Sequence, residues 1–135
     1  MTDNTPNFVA VVLCEDIRDE LGNKKSLMGV IAGDIIVAEL PAVIQLALFS
    51  LYQRPNLESA QIDLTLLQDE EEIAKARVAI PAGGTYIASA IIPKSLLRFE
   101  RECVFSIKAK FADGPETKIA EKKIIKGNLL GLPPT

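Results

Sequence analysis

Apolar residues recur at every second position within short runs of this chain, and this spacing constrains the fold more than any other feature. The clearest run lies near the C-terminus, where one parity carries Cys103, Phe105, Ile107, Ala109 and Phe111. Successive side chains of a β-strand point to opposite faces of the sheet, so this run predicts an amphipathic strand with Cys103 in the core. The same alternation occurs at Ile62, Leu64 and Leu66.

Runs of this kind follow one another at the spacing typical of an antiparallel β-sandwich, here with about eight strands. Further strands are predicted at residues 8–13, 35–37, 43–53, 86–92 and 119–125, with a hairpin around Gly22 and Asn23. Residues 43–53 are long enough for a helix, but the turn that follows favours a central strand. Residues 69–77 fit a strand or a helix, because Glu71 and Lys75 have helical spacing. One helical turn is predicted at residues 95–99, capped by Ser95.

Length and composition fit one globular domain. The chain has 135 residues, of which 48% are hydrophobic and 24% charged, close to the averages for folded proteins. We therefore expect a single β-domain at residues 1–126 that buries a core, followed by an apolar tail at residues 127–135.

The charge distribution argues against a nucleic-acid partner. The net charge is -3, and both signs are interleaved along the chain. One basic concentration is present, but glutamates lie within it and no stacking aromatics accompany it; it consists of Lys118, Lys122, Lys123 and Lys126. We interpret it as a solvated strand face.

Nothing in the N-terminal residues has the basic start and apolar run of an export signal. Residues 27–52 are apolar, but Asp34, Glu39 and Pro41 interrupt every window long enough to span a membrane. We expect a soluble cytoplasmic protein with no membrane segment.

Most familiar catalytic arrangements are absent from the sequence. Without histidine the chain lacks the usual general base, nucleophile pairs and imidazole metal ligand. Cys14 and Cys103 have no second cysteine nearby for a zinc site, and a cytoplasmic address favours two free thiols over a disulfide. Gly83 and Gly84 lack the lysine and helix start of a phosphate loop. We assign no catalytic residue, no cofactor and no metal ligand.

Three carboxylate clusters keep open the alternative of a cation or small-ligand site. They lie at residues 15–20, 69–72 and 113–116. None has the regular spacing of a calcium loop, so we favour solvated loops and edge strands.

Three motifs follow one another in the first third of the chain: a Cys-Glu-Asp segment at 14–16, a Gly-x-Lys turn at 22–24 and a Ser-Leu-x-Gly-Val strand at 26–30. With the short strand and proline at 35–41, they resemble the opening of an uncharacterised bacterial family known only as a domain of unknown function. The resemblance implies a small β-sandwich, immunoglobulin-like or C2-like, and no activity. Within this segment, Glu15, Asp16 and Arg18 either stabilise the head of a hairpin, which we favour, or form a recognition surface.

The tail carries three leucines, Leu129, Leu130 and Leu132. They would bind a protein partner or a second copy of the chain, or else fold back over an open edge of their own domain. Pairing of open edge strands is another route to a dimer. We predict a non-catalytic binding or assembly module whose candidate interaction surface consists of Glu15, Asp16, Arg18 and the three leucines.

Overall fold

The computed structural model describes residues 7–111 and 114–128. Within these ranges the chain forms ten strands and no helix. The strands are β1 (Asn7–Cys14), β2 (Asp16–Glu20), β3 (Lys24–Met28), β4 (Ile35–Val37), β5 (Ala42–Gln53), β6 (Ala60–Gln68), β7 (Glu71–Ile80), β8 (Ile87–Phe99), β9 (Cys103–Phe111) and β10 (Glu116–Lys126). No helix long and apolar enough to cross a membrane occurs among these residues.

The strands form three sheets. One has three strands in the order β1-β5-β8, a second has five in the order β4-β10-β9-β6-β7, and β2 pairs with β3 alone. The prediction of an all-β chain is confirmed, but the count of about eight strands is too low, because the short hairpin strands are largely exposed and have a faint apolar pattern. A purely antiparallel arrangement is also wrong, since β4 runs parallel to β10.

The two larger sheets contribute to one hydrophobic core. The ring of Phe99 on β8 meets that of Phe105 on β9 edge to face at 5.7 Å, and Tyr52 on β5 lies 6.0 Å from Phe111 on β9. All five apolar residues of the β9 run are buried, so the predicted core position of Cys103 is confirmed.

Two segments with ambiguous patterns are strands. Residues 43–53 belong to β5, which lies between β1 and β8 as the predicted central strand. Residues 71–80 form β7, which pairs only with β6 and is therefore an edge strand of the five-stranded sheet.

The predicted helical turn at residues 95–99 is wrong, because these residues continue β8 through Pro93. Opposite β5, Ile92 pairs with Leu48 and Ser95 with Leu46, so Pro93 and Lys94 form a bulge. An edge strand tolerates a residue without an N–H at such a position. Ser95 Oγ donates to Pro93 O at 3.0 Å instead of capping a helix.

The β2-β3 hairpin lies over part of the three-stranded sheet. Strand β2 contacts both β5 and β8. Ala47 is buried although its neighbours Leu46 and Leu48 point into the core, and it pairs with the fully buried Cys14. The hairpin therefore covers the outer face of the sheet around Cys14 and Ala47.

Candidate functional site

An open groove of about 640 Å³ lies beside β4 and the start of β5, and we call it the β4 groove. It is lined by Glu15 and by residues 31–32, 34–39 and 41–45. The local sequence explains its shape. Strand β4 has only three residues, and residues 29–34 before it and 38–41 after it belong to no strand. The chain therefore enters and leaves β4 as irregular backbone, which leaves a concavity rather than a further ladder.

Apolar side chains remain exposed in the β4 groove. Ile36 is 42% exposed and Val43 is 58% exposed. Leu96 on β8, 71% exposed, pairs with Gln45 of the lining and extends the apolar surface onto the next strand. Scattered exposed apolar residues need no explanation, whereas a group of them in one concavity is typical of a binding surface.

Three carboxylates also line the β4 groove. Asp34 Oδ1 accepts a hydrogen bond from Lys123 N at 3.2 Å, which fixes this side chain against β10. Glu39 is well exposed and lies 3.9 Å from Lys126 Nζ. With Glu15, these residues give an apolar groove with acidic side chains around it.

Glu15, one of the predicted interaction residues, closes the base of the hairpin. Its N–H donates to Met28 O at 2.9 Å, and its carbonyl accepts from Gln45 Nε2 at 3.0 Å. The side chain lies against Gly29, where φ is +66° and a Cβ would come within 2.7 Å of Glu15 Cδ. Glu15 therefore stabilises the base of the hairpin through its backbone and also lines the β4 groove.

Asp16 and Arg18 lie together beyond this bend. Asp16 Oδ1 accepts from Ile17 N at 2.8 Å, and Asp16 O accepts from Cys14 Sγ at 3.4 Å. Arg18 is largely exposed, and its Nε lies 3.9 Å from Asp16 Oδ2. These contacts support the structural role that we favoured for the segment, while Arg18 presents its guanidinium to solvent.

The leucines of the predicted surface, Leu129, Leu130 and Leu132, lie outside the described residues. The chain that leads to them is placed, however, because Gly127 N donates to Val37 O at 2.9 Å. Gly127 also packs against Ile36, whose Cγ2 would lie 3.2 Å from a Cβ at this position. The described chain thus ends next to the β4 groove.

Both cysteines are free, as predicted, and both are buried. Cys14 lies in the three-stranded sheet and Cys103 in the five-stranded sheet. Desolvation raises the pKa of each thiol. Because the thiolate is the reactive form, neither residue has the environment of a nucleophile.

In the acidic turn at residues 69–72, the carboxylates of Asp69, Glu70 and Glu72 form ion pairs with the protein's own cations. Glu70 pairs with Lys108 Nζ and Lys118 Nζ, each at 3.2 Å, and these hydrogen bonds lower the pKa of Glu70. Asp69 accepts from Val104 N at 2.9 Å and from Arg101 Nη2 at 3.2 Å. Across the described ranges, no three Asp, Glu or Cys side chains are grouped as metal ligands.

Sequence reasoning missed the buried Arg54. Its guanidinium donates to the carbonyls of Gly83, Thr85, Glu58 and Pro81 at 2.6 to 3.3 Å. It therefore joins the turn after β5 to the turn before β8. An arginine directly after a long apolar strand and before a proline was the available signal. It also missed the β4 groove, whose lining looked like ordinary core sequence.

Comparison with known proteins returned no match for this chain, neither among protein-family models nor among curated proteins. The resemblance of its opening motifs to an uncharacterised family therefore stays a prediction, and the functional argument depends on the geometry of the β4 groove.

Proposed function

We propose that this chain is a non-catalytic protein-binding or assembly module and that the β4 groove is its binding surface. The observation that carries the proposal is the exposure of Ile36 and Val43 inside an open groove of about 640 Å³. Grooves of a few hundred Å³ are large enough to hold several side chains of a partner segment. Burial of such apolar surface is the usual driving force of protein association.

The lining also suggests the chemistry of the partner. Glu15, Asp34 and Glu39 place carboxylates around the apolar residues. Opposite charge across an interface favours encounter and correct orientation. We therefore propose an apolar partner segment flanked by Lys or Arg.

The remaining predicted residues extend this proposal. Asp16 and Arg18 follow Glu15 along β2 and do not line the β4 groove, so we propose that they extend the binding surface beyond it. We further propose that the two larger sheets are the layers of a β-sandwich, immunoglobulin-like or C2-like. Their shared core supports this arrangement, as does the resemblance of the opening motifs to the uncharacterised family.

A charge placed in the β4 groove tests the binding surface. We expect Val43→Asp to abolish recovery of a partner that the unaltered chain captures, because the partner's apolar residues would meet an unpaired carboxylate. Val9→Asp is the matched control, since Val9 is 55% exposed on β1 of the same sheet but outside the groove.

The captured protein must then bind the purified chain in calorimetry. The proposal requires that Val9→Asp bind with unchanged affinity and Val43→Asp at least tenfold more weakly. Equal affinity of the two variants would place the binding surface elsewhere.

A further inference from the structure

Strand β10 has an open edge at a place separate from the β4 groove. It pairs with β9 along one side, but on its other side β4 covers only residues 124–126. Residues 116–123 therefore form an open strand edge, which we call the β10 edge. We propose that an extended, acidic segment of a partner protein adds to the β10 edge as a further strand. This second surface does not depend on the function proposed for the β4 groove.

The backbone of the β10 edge is oriented for pairing. Lys123 N donates to Asp34 Oδ1 at 3.2 Å, and Asp34 directly precedes β4, so this N–H points away from β9. Backbone groups two residues apart in a strand point to the same side, so the N–H and C=O of Glu121 also point away from β9. Among the described residues, no strand pairs with β10 on this side of Glu121. Open backbone groups of this kind are a template for an added strand.

A cleft of about 330 Å³ borders the β10 edge. It is lined by residues 119–122 of β10, residues 11–13 of β1 and residues 30–31. Seven of these nine residues are apolar, and one of them, Val30, is 54% exposed. An added strand would therefore bury apolar side chains in the cleft while its backbone pairs with β10.

Two lysines of the β10 edge indicate the charge of the partner. Lys122 lines the cleft, is half-buried and shares the core-facing side of β10 with the buried Ile124. Lys123 is exposed on the opposite face. Neither lysine makes an ion pair within the described part of the chain, whereas Lys118 and Lys126 do.

An acidic segment complements these two lysines. Successive side chains of a strand point to opposite faces of the sheet, so a carboxylate on either face of the added strand lies on the side of Lys122 or of Lys123. Opposite charge across an interface favours encounter and correct register. The basic concentration of β10 thus has two members available to a partner.

A second copy of the chain is a poorer complement. The other edge strand of the five-stranded sheet, β7, carries Lys75 and Arg77 as well as two glutamates. Pairing of β7 with the β10 edge of another molecule would bring basic side chains toward Lys122 and Lys123. A net acidic segment of a different protein avoids this repulsion, and self-association is the competing outcome of the test.

A capped eight-residue peptide that alternates valine and glutamate is the probe. We expect it to shift the amide signals of residues 118–123 in NMR spectra and to slow hydrogen exchange at the Glu121 amide. Signals of Ile73 and Lys75 on β7 should stay in place. The same peptide with lysine in place of glutamate should not bind. Shifts confined to β7, equal binding of the two peptides or no binding of the glutamate peptide would overturn the proposal.

Charge reversal at the β10 edge tests the role of the two lysines. The double variant Lys122→Glu, Lys123→Glu should bind the glutamate peptide at least tenfold more weakly and should gain affinity for the lysine peptide. Lys24→Glu, Lys110→Glu is the matched control, because it has the same net charge and changes two lysines outside the edge. An equal loss in both double variants would mean that only net charge matters and would overturn the proposal.

The role of the backbone is tested at Glu121. Glu121→Pro removes the outward N–H and should abolish binding of the glutamate peptide, whereas Glu121→Ala keeps the N–H and should bind it. If circular dichroism shows that Glu121→Pro does not fold, the glutamate peptide with every amide N-methylated makes the same test on the unaltered chain. Binding of that peptide, or binding by a folded Glu121→Pro, would overturn strand pairing.

Two further measurements separate this surface from its alternatives. Val43→Asp should bind the glutamate peptide as tightly as the unaltered chain does, even where it weakens a partner of the β4 groove. Loss of peptide binding in Val43→Asp would place the peptide in the β4 groove and overturn the proposal. Light scattering gives the mass of the chain without peptide. A doubled mass that returns to the monomer in Lys122→Glu, Lys123→Glu would assign the edge to a second copy instead.

Discussion

Gly29 and Glu15 show how two residues of the opening motifs depend on each other. Gly29 has φ of +66°, a conformation that costs a residue with a Cβ on the order of 1 kcal/mol or more. Its missing side chain also leaves the space that Glu15 occupies at the base of the hairpin. The Ser-Leu-x-Gly-Val pattern thus has a structural reason within this chain.

We expect Gly29→Ala to lower the free energy of unfolding by about 1 to 3 kcal/mol, because it adds both backbone strain and a clash with Glu15. Urea unfolding followed by circular dichroism measures the change. Gly33→Ala is the control, since a Cβ there would meet no atom within 4 Å. In a Glu15→Ala background the cost of Gly29→Ala should become smaller, because the clash disappears and the strain remains. Equal costs in the two backgrounds would show that the Glu15 side chain moves away from the added methyl group without loss of stability.

Tyr52 is a buried residue whose polar atom is not satisfied. Its hydroxyl has no hydrogen-bond partner within the described residues, although its ring packs against Phe8 and Phe111. Burial raises the pKa of Tyr52. Packing of the ring therefore stabilises the folded state, whereas burial of the unpaired hydroxyl destabilises it.

Tyr52→Phe should therefore leave the free energy of unfolding unchanged at pH 7 or raise it by about 1 kcal/mol. A folded-state pKa above the unfolded value near 10 means that stability is lost as pH rises past that value. Above pH 10 the free energy of unfolding of Tyr52→Phe should accordingly rise relative to that of the parent chain. Tyr86→Phe, at an exposed tyrosine, is the control and should show no change at pH 7. A destabilised Tyr52→Phe would mean that the hydroxyl has a partner in solution.

Among the elements, β9 could be predicted in detail and β8 could not. Because every second residue of β9 is apolar, the alternation predicts which of its side chains point into the core. Ser106, on the opposite face, is buried as well. In β8 the residues around Pro93 suggested an interruption, whereas pairing with β5 continues on both sides of a bulge. Whether a proline ends a strand or occupies a bulge depends on the partner strand, which the local sequence does not contain.

Ion pairs connect the turn between β6 and β7 to strands β9 and β10. Glu70 lies between Lys108 on β9 and Lys118 on β10, and Lys118 Nζ also donates to Glu121 Oε2 at 2.8 Å. The lysines lower the pKa of Glu70. The stabilisation is therefore complete above the ordinary glutamate pKa of about 4.3 and is lost as pH falls through the lower folded-state value.

Glu70→Gln should slightly lower the Tm at pH 7, and the difference from the parent chain should become smaller as the pH falls below the ordinary glutamate pKa of about 4.3. Added salt should also reduce it, because these groups are exposed. Thermal scans at several pH values measure both effects. Glu71→Gln is the control on the adjacent residue, whose carboxylate makes neither ion pair. A difference that stays the same from pH 7 down to the lowest pH at which the chain is folded would point to a cause other than the charge of Glu70.

At the scale of the whole molecule, the candidate site could not be predicted from the sequence. The β4 groove joins Glu15 to a segment that begins sixteen positions later, and only the packing of the hairpin base brings them together. The motif suggests Glu15, Asp16 and Arg18 as candidate interaction residues, yet nothing in it indicates that Glu15 borders a groove. Ile36 and Val43 belong to apolar runs that a sequence pattern assigns to the core.

The two free cysteines offer a test of whether the larger sheets unfold as one unit. Cys14 belongs to the three-stranded sheet and Cys103 to the five-stranded sheet, and both are buried with a raised thiol pKa. Cys103 lies in the core that the two sheets share, whereas Cys14 lies on the outer face of its sheet beneath the β2-β3 hairpin. We expect the hairpin and the two sheets to open in one step, which would expose both thiols together. Pulsed thiol labelling across a urea gradient, counted by intact mass, should therefore yield molecules with no label or with two. Cys14→Ala and Cys103→Ala variants identify the labelled site and should give the same urea midpoint. A species labelled only at Cys103 would mean that the five-stranded sheet opens first, and a species labelled only at Cys14 would mean that the hairpin or the three-stranded sheet opens first.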